Sequence, residues 1–139
     1  MTGRVNDLSF GADQIRTMLH LIGVAVWLGG QIVMLSLMPI LRSEGVDGLA
    51  ARVAGGFQRV AWPAYGLAVV TGIWNLMAVE MGDNTTGWNM AFGFKFLLVL
   101  ISGAAAFVHQ KTDNPGLKGA TGGIGFLAAL AAMFLGYVI

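Results

Sequence analysis

Lys95 lies inside MAFGFKFLLVLISGAAAFV, residues 90–108, a run otherwise made of apolar or small residues and long enough to cross a bilayer. An ammonium within hydrocarbon costs at least ~2.5–3.5 kcal/mol. Either Lys95 performs a task there, as a proton carrier or a counter-charge for a carboxylate ligand, or its long stem snorkels to the interface. His20 interrupts the first apolar run in a similar way. An imidazole in such a place can ligate a metal or haem iron, relay protons, or hydrogen-bond a neighbouring helix. Methionines form a third group. Met77 and Met81 stand four apart near the end of the second apolar run, Met90 opens the third, and Met18 lies beside His20. Thioether with imidazole is a soft ligand set that suits Cu(I). Methionine also fills gaps in apolar helices, which is the competing reading for each of them.

The elements that must position these groups follow from composition. Of the 139 residues 56% are hydrophobic and only 11% are charged, with a mean hydropathy of +0.73. Soluble domains carry about 25% charged residues, so the chain reads as an integral membrane protein. A net charge of +1 gives no reason to expect a nucleic-acid partner. The absence of cysteine excludes disulfides and thiolate metal or redox sites. Residues 1–18 are polar and mixed in charge, unlike a cleavable signal.

Four apolar segments, about residues 14–41, 55–80, 88–111 and 117–138, each approach or exceed the ~20 residues that span a bilayer as a helix. Lipid leaves the backbone to satisfy its own hydrogen bonds, so helices are expected. Trp62-Pro63 marks either a kink or a helix start. Short connections make sequential helices antiparallel neighbours, and the whole chain reads as one all-α, four-helix, up-down bundle in the membrane. Arg42, Arg52, Arg59, Lys111 and Lys118 flank the first and third connections, whereas the second has Glu80 and Asp83 with no Lys or Arg. The positive-inside rule then places both termini outside the cell membrane. Arg4 and Arg16 argue weakly the other way. Glycine is abundant, 21 residues, as suits close helix packing or association with a second copy or other membrane subunits. Gly119 and Gly123 form a small-xxx-small pair, and Gly103 begins a slim face.

Spacing groups the polar residues. Lys95, Ser102 and His109 recur at seven-residue intervals, nearly two helical turns, as do His20, Trp27 and Met34. The two stripes are expected to face inward and meet. From the span centres, His20 lies ~14 Å and Lys95 ~6 Å to the outer side, and His109 ~15 Å to the inner side. Side chains lean toward the helix N-terminus, which carries the Lys95 amine outward toward the level of His20. His20 and His109, the only histidines, stand ~29 Å apart along the bundle, too far to share one haem within a chain. His109 reads as a helix-end residue. Thr71 and Asn75 share a face of the second helix, and Asn75 needs a partner on another helix.

The run HLIGVAVWLGG, with His20, Trp27, Gly29 and Gly30, resembles the opening helix of the copper resistance D (CopD-like) membrane domain. Phe57-Gln-Arg followed by Thr71-Gly-Ile-Trp-Asn resembles its second helix, and Gly93-Phe-Lys with the apolar run after it resembles the third. The resemblance covers the chain from about His20 to the third connection. It implies a four-helix inner-membrane domain in copper uptake or homeostasis; with the soft ligand set read above, copper is expected at His20, Met77, Met81 and Met90. Larger members carry extra spans, so a transport path here requires a second copy. More distantly the chain resembles the HemJ-type protoporphyrinogen oxidases, which pair an early histidine with a third-helix lysine and are associated with haem b. His20 and Lys95 fit those two roles by position, and Trp27 on the His20 stripe joins them as a candidate cofactor contact. LGGQIVMLSLMPILR departs from that family's Arg- and Tyr-containing first helix. A small accessory subunit of a larger membrane complex is the third reading.

Overall fold

The computed structural model describes residues 10–78 and 84–139. The described chain is all-α. Its helices are α1 (Ala12–Ser43), α2 (Leu49–Ala78), α3 (Thr86–Lys111) and α4 (Pro115–Val138). All four are long and apolar enough to cross a membrane, and the architecture is the expected up-down bundle. The helix ends are set by local chemistry. Gly45 and Gly48 adopt positive φ, +67° and +74°, which turns the chain between α1 and α2. The Thr85 hydroxyl caps α3 by accepting from Trp88 N at 3.2 Å. Asn114 caps α4 by accepting from Gly116 N and Leu117 N, with Pro115 as the first helical residue.

Two expectations about the second span are refined. Helix α2 begins at Leu49, six residues before position 55, and continues past Trp62-Pro63, so that dipeptide starts no helix. Pro63 lies on the exposed side, where its ring does not disturb interhelical packing.

The pairs α1–α2 and α3–α4 pack closely along their lengths, and α1 touches α4 more lightly. Apart from Trp27 and Leu28, the buried interior is built from small residues, including Ala61, Ala64, Thr71, Ser102, Ala105, Ala128 and Ala132. Large apolar side chains such as Leu35, Val70, Leu127 and Phe134 point outward. This arrangement suits lipid as solvent, where close backbone approach rather than apolar burial joins helices. Gly23 shows how close that approach is: a Cβ built there stands 2.7 Å from Ala64 O. Gly103 likewise admits the Tyr65 ring, confirming its slim face. Gly119 and Gly123 face open space, and a Cβ at either meets no other helix among the described residues.

Candidate functional site: a histidine–lysine cleft between two helical hairpins

Where the hairpins meet, longer side chains bridge the gap. Trp27, Trp62 and Tyr65 form a cluster with ring centroids 4.6–5.7 Å apart. Each ties one hairpin to the other. Trp27 Nε1 donates to Ser102 Oγ at 3.0 Å, Tyr65 OH donates to Val99 O at 2.9 Å, and Trp62 Nε1 donates to Gln110 Oε1 at 3.0 Å. Ser102 passes its own hydroxyl proton to Gly125 O at 2.8 Å. A buried hydrogen-bonded line therefore runs from α1 through α3 to α4, with every donor satisfied.

Above this cluster, toward the beginnings of α1 and α3, the seam opens into a cleft of about 50 Å³. His20 reaches it from α1, Asn75 from α2 and Lys95 from α3, with Val69, Phe92 and Phe96 among its apolar walls. The two stripes thus meet in register: position 20 with 95, and position 27 with 102.

His20 is held in one tautomer. Its Nδ1 lies 3.0 Å from Ala68 O and 2.9 Å from Thr71 Oγ1. A carbonyl only accepts, so Nδ1 carries the proton and donates. The Thr71 hydroxyl donates backward to Leu67 O at 2.6 Å, which leaves its oxygen free to accept from His20. Neutral His20 consequently keeps its lone pair on Nε2, which has no protein hydrogen-bond partner among the described residues. A ligating histidine is held in the same way, its second nitrogen donating to a carbonyl that fixes ring and tautomer.

Lys95 makes no ion pair or hydrogen bond with the described residues. Its amine lies against the last turn of α4, close enough that a Cβ at Gly136 would stand 2.9 Å from Nζ. A cation is favourably placed at that end of a helix dipole. Asn75 Oδ1 accepts from Arg16 Nε, supplying the interhelical partner that Asn75 requires. Arg16 also pairs with Asp13 at 3.0 Å and lies over the Trp74 ring. The sequence offered a signal for Arg16, which precedes His20 by four residues on the same face.

Other candidates fall elsewhere. Trp27 sits about two turns below His20 in the aromatic cluster and does not line the cleft. Met18, Met77 and Met90 are 60%, 80% and 70% exposed and do not line it either, so the described methionines and His20 do not converge. Met81 lies outside the described residues. Among the described residues no group of three His, Asp or Glu side chains stands together as a metal site. His109 is at the opposite end, donating from Nδ1 to Lys118 O at 2.6 Å, a helix-end role as expected.

Compared with models of known protein families, with curated proteins and with solved structures, the chain matches none.

Proposed function

We propose that this chain is a membrane oxidoreductase or electron carrier that binds haem b through His20, in the manner implied by the HemJ-type resemblance. The observation that carries this reading is the fixed His20 ring, with Nδ1–H spent on Ala68 O and Nε2 left as a lone pair beside a cleft shared with Lys95. Imidazole nitrogen is a haem-iron ligand, and a cationic side chain suits a ligand that carries carboxylates. The donor set fits. A cleft of about 50 Å³ does not take a macrocycle, so a large ligand has to use the open side of the seam. Bound haem b would supply one-electron chemistry. The chain's own part is to orient His20 through Ala68 and Thr71 and to bring the Lys95 charge to the same cleft. Arg42, Arg52, Arg59, Lys111 and Lys118 cluster toward the other end of the bundle, which supports an inner-membrane orientation with the cleft and both termini outside. The visible spectrum of the purified protein tests this reading: a Soret band that disappears in His20→Ala supports it, and its absence from the wild type refutes it.

Copper handling of the CopD-like kind is the second reading. The same Nε2 lone pair favours it. Met77 and Met90 face outward, so their thioethers would have to meet His20 through a second copy of the chain. The open Gly119 and Gly123 face of α4 offers a surface for such an association, or for other subunits if the chain serves as an accessory component.

A further inference from the structure

Among the described residues the cleft has donors on two sides and no acid. The Lys95 ammonium brings three N–H groups and no counter-ion among the described residues. Asn75 Oδ1 accepts from Arg16, which fixes which end of the amide is the oxygen, and the amide's other end brings two N–H donors to the cleft wall. Arg16 is itself engaged with Asp13 and Asn75, and so acts as a positioning residue for Asn75. Among the described residues no Asp or Glu lines the cleft, and His20 Nε2 presents a lone pair to it. An ammonium held among apolar walls at membrane depth is costly unless an anion accompanies it.

Size narrows the anion. The cleft's volume is about 50 Å³, against the roughly 10–15 Å³ of such space that one water needs. It admits a carboxylate head. Phe92, Phe96 and Val69 continue the wall as an apolar surface, suited to the body of a molecule arriving from the bilayer.

We infer that Lys95 and Asn75 form a binding corner for the carboxylate of an amphipathic acid that enters the seam between the two hairpins from the membrane. This rests on the ligand occupying the His20 cleft, and not on iron or on any metal bond from His20. An acyl-chain acid and a carboxylated porphyrin share the chemistry, and two probes distinguish them.

The full chain in nanodiscs is titrated with oleate and with methyl oleate, and separately with metal-free protoporphyrin IX and its dimethyl ester. A charge-assisted pair of hydrogen bonds predicts at least about tenfold tighter binding of the acid than of the ester for one probe pair or both. Lys95→Met and Asn75→Leu should abolish that preference. Lys95→Arg should retain it, which separates lost charge from lost fold. His20→Ala should retain it too, because the probes contain no iron. Failure of the haem reading would leave this preference intact. Equal binding of acid and ester by the wild type, or a preference that survives Lys95→Met, overturns the inference.

Discussion

The Trp27 indole donates to the Ser102 hydroxyl at 3.0 Å, joining α1 to α3 across the bundle. One heptad earlier on each helix, His20 and Lys95 line a common cleft. The buried bond therefore sets the register that places the two ionisable groups together. Ser102→Ala strips a partner from both Trp27 Nε1 and Gly125 O. It should cost about 1–2 kcal/mol, read by denaturant unfolding in detergent. Combined with Trp27→Phe, the two losses should not add, because each removes the same bond.

Gly23 carries the contact between α1 and α2. Gly23→Ala pushes a methyl against Ala64 O and Ala68 N, backbone atoms that cannot step aside. The expected loss is about 1–3 kcal/mol. Gly119→Ala and Gly123→Ala meet only open space and should leave monomer stability within about 0.5 kcal/mol. A change confined to self-association, followed by sedimentation, would locate a second copy on that face.

Thr71 supports His20 from behind. Thr71→Val removes the acceptor at 2.9 Å but leaves Ala68 O in place. Binding of the His20 ligand should weaken about 10-fold, measured by titrating haem into the apoprotein. Unchanged affinity would show that Ala68 alone orients the ring.

Met77→Leu and Met90→Leu test the copper reading. Both side chains face outward, away from His20. If His20 serves haem, ligand content should not change in either variant. Stoichiometric copper that falls in both would instead favour a site shared between chains.

Much of this organisation was legible in the sequence because lipid imposes simple rules. Hydropathy and length reveal spans, and seven-residue spacing puts His20 with Trp27 and Lys95 with Ser102 on single faces. The separation of His20 from His109 followed from helix rise alone. The methionine grouping did not follow: similar depth says nothing about which face of a helix a side chain takes, and Met77 and Met90 turn outward. Tyr65 and Arg16 were missed for a related reason. Their roles depend on how the hairpins dock, through Gly103 for Tyr65 and through Asn75 for Arg16, and docking is a property of two elements rather than one.

The most direct test of the central claim is the visible absorption spectrum of the protein purified from membranes in mild detergent. The account predicts a Soret band in the wild type, retained in His109→Ala and lost in His20→Ala while the helical circular dichroism is unchanged. A wild-type protein that shows no Soret band even after incubation with haem, or a band that persists in His20→Ala, would contradict it.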